Sequence, residues 1–160
     1  MRGAVAARGF SFIELMVTLA ILGLLGSMVA PVAQLSLQRH RETQLRDALR
    51  EIRNALDAYH AAVQQGAIQV PIGASGYPPN LEALVQGAVD LRSSAGQRIY
   101  FLRRIPRNPF FDDPRASDAD TWQKRAYASS AEEPREGADV YDIHAGTGGI
   151  GLNGTPYRLW

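Results

Sequence analysis

The 160-residue sequence contains no cysteine, which excludes disulfides, thiolate catalysis and any cysteine-ligated zinc or iron–sulfur centre. It also lacks an excess of either charge. Seventeen Lys+Arg stand against 16 Asp+Glu, a formal net charge of +1, so there is no whole-chain electrostatic case for nucleic-acid binding and no acidic tail. Histidine is scarce: His40, His60 and His144 lie far apart with no nucleophile placed between them, so they read as surface or packing residues and not as a catalytic set. What is present has globular proportions, 46% apolar and 21% charged, which excludes disorder throughout. A slightly negative mean hydropathy excludes a chain made mostly of membrane spans. The length suits one modest domain with an appended segment.

The apolar residues are unevenly placed. Residues 10–33 read FSFIELMVTLAILGLLGSMVAPVA, 17 of 24 apolar, with Glu14 the one charge. As a helix this stretch covers roughly 36 Å, enough for a hydrocarbon core of about 30 Å. Residues 1–33 hold two Arg and one Glu, which leaves 15 basic and 15 acidic side chains for 34–160. The chain therefore reads as a membrane anchor joined to a polar, neutral body. A cleaved secretory signal would need small residues after the run. Met28-Val29-Ala30 and Pro31-Val32-Ala33 place Met or Pro at the first such position, and the run is long for a signal core.

Downstream, Leu45, Leu49, Ile52, Leu56, Tyr59 and Val63 repeat at 4-3-4-3-4 spacing, with Ala48, Ala55 and Ala62 widening the stripe. This predicts an amphipathic helix over 34–65, stopped at Gly66 and packed on its own domain. The seam is under three heptads and Arg41 interrupts it upstream, which is short for a coiled coil. Because no linker separates it from the span, one helix from Phe10 to about Gln65 is expected, roughly 83 Å long, bent or locally unwound at Pro31.

Beyond Gly66 the pattern fragments. Asn80 reads as the N-cap of a short helix LEALVQ ending near Gly87. RIYFLRRIP (98–106) fits strand or extended loop equally. Pro106, Pro109 and Pro114 with Asp112 and Asp113 mark a long irregular connection. Residues 121–129 and 138–145 read as two strands of a hairpin on which the helix stripe can pack. The expected fold class is α+β: a long N-terminal helix packed on a small antiparallel sheet.

One motif is specific. Arg8-Gly9-Phe10-Ser11-Phe12-Ile13-Glu14-Leu15 resembles the processing site of type IV prepilins and type II secretion pseudopilins. It has a short basic leader, a Gly directly before the apolar run, and a lone Glu five residues into the mature chain. The resemblance implies cleavage after Gly9 by a prepilin peptidase, methylation of Phe10, and an assembly role for Glu14 and Pro31. A carboxylate at bilayer depth costs a few kcal/mol, and a neighbouring subunit's new α-amine on Phe10 would neutralise it. Downstream, Tyr77-Pro78 before LEALV, FLRRIPRNPF (101–110) and DVYDIHAG (139–146) resemble the major, G-type pseudopilin. The absence of Cys agrees, since many type IV pilins close a loop with a disulfide.

The implied organisation is a leader (1–9), the transmembrane half of the helix (10–33), its amphipathic half (34–65) and a periplasmic globular domain (66–160). The implied function is a structural subunit, not an enzyme, of an inner-membrane-anchored pseudopilus that supports type II secretion. Its partners would be further copies of itself, the prepilin peptidase, an assembly platform with its ATPase, minor pseudopilins and the inner membrane, with no nucleic acid. The alternatives are a type IV pilin for adhesion, motility or DNA uptake, and a non-polymerising periplasmic binding module. Counting Arg2 and Arg8 before the span against Arg39, Arg41, Arg46, Arg50 and Arg53 after it sets the body on the cytoplasmic side. The resemblance implies the reverse, and we follow it because the downstream Arg residues are interleaved with acids on a folded helix.

Major pseudopilins of this type commonly hold calcium in an acid-rich loop. Asp139, Asp142 and Asn153 are the corresponding oxygen donors here, but no Asp or Glu follows Asp142, so the ligand charge is low for that ion. Gly146–Gly151 matches a dinucleotide fingerprint literally, yet the residues after it leave no room for a helix, and it reads as a glycine-rich loop. Asn153-Gly154-Thr155 is a glycosylation sequon that equally reads as a tight turn. Arg103, Arg104 and Arg107 form a basic patch suited to phosphate, to acids such as Asp112 and Asp113 of a neighbouring subunit, or simply to solvent.

Overall fold

A computed structural model of the chain describes residues 9–146 and 148–160, with the side chains of 28–31 outside that description. Its topology is α+β, and it divides into two compact units, Met1–Arg39 and His40–Trp160. Helix α1, Phe12–Gln64, contributes to both. The helical assignment runs through Pro31; the side chain of Pro31 and the bend expected there lie outside the described residues.

In the first unit α1 is apolar all round, and Phe12, Ile13, Leu15, Leu19, Leu22 and Leu25 are all exposed. Such a helix needs lipid or other helices as its solvent, and this one is long and apolar enough to cross a membrane. Its hydroxyls are compatible with that medium. Thr18 Oγ1 donates to the Leu15 carbonyl at 2.9 Å and Ser27 Oγ to the Leu24 carbonyl at 2.7 Å, so neither is left unsatisfied.

In the second unit burial becomes one-sided. Leu45, Ala48, Leu49, Ile52, Ala55, Leu56, Tyr59 and Ala62 are buried and Val63 partly so, while Arg50 and Glu51 on the opposite face are exposed. The stripe packs on its own domain, as its length implied. Each large aliphatic residue fully buried in this way contributes about 1.5–3 kcal/mol. The helix stops at Gly66, whose φ of +70° suits glycine.

The rest of the body is laid on that stripe in short pieces. Helix α2, Glu82–Gln86, begins where Asn80 Oδ1 accepts the Ala83 N–H at 2.9 Å, the capping bond expected of Asn80. Its Leu84 carbonyl then accepts the N–H groups of both Phe101 and Leu102 at 3.0 Å. The expected single sheet is two ribbons. Strand β1, Ala88–Val89, pairs antiparallel with β2, Arg98–Ile99, so only the first two residues of RIYFLRRIP are strand. Strand β3, Gln123–Arg125, pairs antiparallel with β4, Asp142–His144, in the register Gln123↔His144, which is the expected hairpin in shortened form. The connection between the two ribbons cannot extend either ladder, because Pro106, Pro109 and Pro114 supply no N–H for it.

Side chains hold the irregular connection instead. Asn108, 1% exposed, donates from Nδ2 to the carbonyls of Thr121 (3.2 Å) and Ala145 (2.8 Å), while its Oδ1 accepts the Phe110 N–H at 3.0 Å. Trp122 Nε1 donates to the Pro106 carbonyl at 2.7 Å.

This architecture makes the helix stripe the sensitive element. Ile52→Ala should lower unfolding stability by about 2–4 kcal/mol, while Glu51→Ala on the exposed face should change it by under about 0.5 kcal/mol. Thermal melting of the full chain in detergent tests the contrast.

Candidate functional site

The specific motif lies at the start of α1. Gly9 and Phe10 precede the helix, and Phe10 is 78% exposed. Glu14 sits in the first helical turn, where the backbone N–H dipoles favour a negative charge. Thr18 and Ser27 are bonded to their own helix, whereas Glu14, the one charge of the apolar stretch, has no hydrogen-bond or ion-pair partner among the described residues. Arg2 and Arg8 of the leader lie outside those residues. An ionisable side chain within so apolar a stretch is costly to leave unpaired in a membrane, which makes Glu14 the candidate functional residue of this segment.

A second polar constellation, in the body, is one that sequence reasoning missed. Glu42 is 3% exposed. Its Oε1 accepts the Leu152 N–H at 2.8 Å and the Tyr157 hydroxyl at 3.0 Å, and its Oε2 lies 3.6 Å from Arg46. The Arg46 guanidinium stands 4.4 Å over the Trp160 ring, a cation–π contact. One position was available to signal this: Glu42 lies three residues before Leu45 and so continues the apolar stripe as a buried acid.

The glycine-rich loop is explained by the same packing. A Cβ on Gly149 would lie 2.7 Å from the Tyr157 ring, and one on Gly151 would lie 2.5 Å from Trp160. Glycine is required there so that two aromatic rings can close on the backbone. Within the sequon, Asn153 Oδ1 accepts the Thr155 N–H at 3.0 Å, the turn geometry that its composition allows.

The three expected calcium donors are engaged with protein groups. Asp142 Oδ1 accepts from Arg53 Nε at 2.9 Å, and its Oδ2 lies 3.7 Å from Arg125 Nη2. Asp139 Oδ1 accepts the Tyr127 N–H at 2.8 Å, and Asn153 Oδ1 is occupied as above. Among the described residues no three His, Asp or Glu side chains converge as a metal site. A carboxylate already flanked by two guanidinium groups is a poor ligand for a divalent cation, so this donor set does not fit calcium.

The basic patch is divided. Arg107 turns inward: Nη1 donates to the Ala116 carbonyl at 2.9 Å and lies 3.2 Å from Asp118 Oδ1, and Nη2 donates to the Asp113 carbonyl. It therefore holds the 113–118 loop of its own chain, and none of the three outlets open to the basic run (phosphate, a neighbour's acids, solvent) describes this residue. Arg103 and Arg104 remain exposed.

His144 is half-buried, with Nδ1 unpartnered among the described residues. Burial holds its pKa below the ordinary histidine value; the Asp142 carboxylate opposes that shift, while Arg125 and Arg53 reinforce it. His60 stacks on Tyr77 with ring centroids 4.3 Å apart, a packing role.

Residues 6–30 match the family model described as the prokaryotic N-terminal methylation motif. The chain therefore carries a prepilin-type N-terminus. Neither a curated protein nor a solved structure matches the chain.

Two outcomes follow from the body. Glu42→Ala removes that acceptor from the part-buried Leu152 N–H and the buried Tyr157 hydroxyl and should cost about 1–3 kcal/mol, read by melting and by faster amide exchange across 148–160. For His144, the unfolded chain binds a proton near pH 6.5 that the folded chain resists. This stability is present above about pH 6.5 and is lost as pH falls from there towards the lowered folded value. The slope of melting temperature against pH in that window should flatten in His144→Phe; an unchanged slope would show that His144 does not contribute.

Proposed function

We propose that the chain is a structural subunit of a pseudopilus that supports type II secretion, and not an enzyme. The carrying observation is the unpartnered Glu14 in the first turn of an apolar helix that can cross a membrane, set within the methylation motif at 6–30. Prepilin peptidase cleaves after Gly9 and Phe10 becomes the methylated N-terminus. The apolar half of α1 then anchors the subunit in the inner membrane with the body in the periplasm. Extraction by an assembly platform and its ATPase removes the helix from lipid, and neighbouring α1 segments replace that lipid.

Glu14 governs the register of this packing. Removing a carboxylate from water without a partner costs several kcal/mol, whereas the α-amine of a neighbouring Phe10 supplies the opposite charge at the same depth. Misaligned helices leave both charges unpaired, so the pair selects one axial offset. Pro31 weakens the helix where the membrane half meets the amphipathic half, which lets that segment adapt when lipid is exchanged for protein. Minor pseudopilins would contribute to the same filament. The absence of a cysteine-closed loop, with the segments at 77–85, 101–110 and 139–146, supports the secretion reading over a type IV pilin of adhesion, motility or DNA uptake.

Intact-mass and N-terminal peptide spectrometry should find a mature chain beginning at N-methylated Phe10; a chain beginning at Met1 or Arg2 would sink the reading. Glu14→Ala should leave membrane fractionation unchanged and reduce filament yield by roughly tenfold or more, the effect of losing about 1.4 kcal/mol per added subunit. Deletion should abolish export of a secreted enzyme and spare twitching. The opposite pattern assigns the chain to a type IV pilus.

A further inference from the structure

Asp139, Asp142 and Asn153 do not offer calcium a site, yet the oxygens around Asp142 are gathered by a different cation. Arg53 Nε donates to Asp142 Oδ1 at 2.9 Å, and Arg53 Nη2 donates to the Ile143 carbonyl at 3.1 Å and to the Trp160 carbonyl at 2.9 Å. One carboxylate and two backbone carbonyls are the type of donor set a hard divalent ion collects. A guanidinium serves three such acceptors from a planar fork and keeps its charge at any physiological pH.

We propose that Arg53 is the resident cation of this region, joining β4 and Trp160 to α1, so that the fold of residues 148–160 is independent of calcium. Three separate contacts close the arrangement. Arg125 faces the second oxygen of Asp142 at 3.7 Å, so an added divalent ion would meet two fixed positive groups at its best ligand. Asp142 Oδ1 also accepts the Ile143 N–H at 2.8 Å, which orients the carboxylate towards Arg53. Arg46 and Glu42 pin the same segment two and three turns earlier on the same helix. The three residues Glu42, Arg46 and Arg53 lie at i, i+4 and i+11, one face of α1. The consequence for function is a subunit whose body stays ordered where divalent ions are scarce or chelated.

The experiment uses the full chain in detergent, with thermal melting and amide exchange of 148–160 read in excess calcium and in excess EDTA. The wild type should show the same melting temperature and the same exchange in both. Arg53→Ala should melt at least about 4 °C lower and exchange faster across 148–160. Methylguanidinium should restore part of that loss relative to the wild type in the same additive, since Arg53 lines an open cleft of about 490 Å³ with Arg46, Arg50, Asn153 and Trp160. Arg53→Lys, which keeps the charge but not the fork, should fall between the two. If Arg53→Ala does not fold, Arg53→Lys and the wild-type calcium comparison decide. A wild-type melting temperature raised by calcium or lowered by EDTA overturns the proposal, as does an Arg53 variant that melts like the wild type or fails to respond to methylguanidinium.

Discussion

Strands of two and three residues cannot bury a core between themselves, so the apolar stripe of α1 is the surface against which the body is built. Leu45, Ile52 and Leu56 are buried at its centre, and α2, the two ribbons and the closing aromatic residues belong to the same core cluster. A helix can serve this way because it satisfies its own backbone over its whole length. The chain packed against it is then free to be irregular, and it meets its backbone requirements through side chains such as Asn108 and Arg107.

The same helix meets two different physical demands along its sequence. Over its first unit it is apolar on all sides and retains one carboxylate; from Glu42 onward only one face is apolar. The switch has a charge counterpart. The body balances its acids and bases internally and uses guanidinium groups as fasteners: Arg107 on the 113–118 loop, Arg46 on Trp160, Arg53 on Asp142 and two carbonyls. The apolar stretch 10–33 carries a single acid, Glu14, with no ion-pair partner among the described residues. The body is neutral in sum, so the isolated charge of the apolar segment is the one that its medium penalises most.

Legibility in the sequence follows the range of the interaction. The stripe of α1, the Asn80 cap, the glycine stop and the β3–β4 hairpin are readable, because each is set by residues within a few positions or by a simple period. The split of the sheet into two ribbons is not, since it depends on where the proline-rich connection leaves the edge. Glu42, Arg46 and Arg53 look in the sequence like solvated polar residues of an amphipathic helix, and Asn108 like one more loop residue. Their partners lie 110 and 115 residues away for Glu42, 89 to 107 away for Arg53 and 37 away for one Asn108 bond. No local pattern encodes such pairs. Arg107 shows the same limit from the other side: in the sequence it belongs to a run with Arg103 and Arg104, and charge alone points outward, to solvent or a partner. Folding turns it inward onto its own loop, because three acceptors there outweigh solvent for a half-buried guanidinium.

By itself the sequence determined that this chain has an apolar N-terminal helix with one acid, a prepilin-type processing motif, and a cysteine-free, neutral body packed on one amphipathic face. Those properties are local, carried by composition, period and short spacing. Only the tertiary structure decided which charges are spent within the body, that the glycines of 149–151 make room for Tyr157 and Trp160, and that Arg53 takes the oxygens a metal would need. Those outcomes depend on which distant atoms share a few ångströms of space, and the burial that brings them together is settled only when the whole body closes on α1.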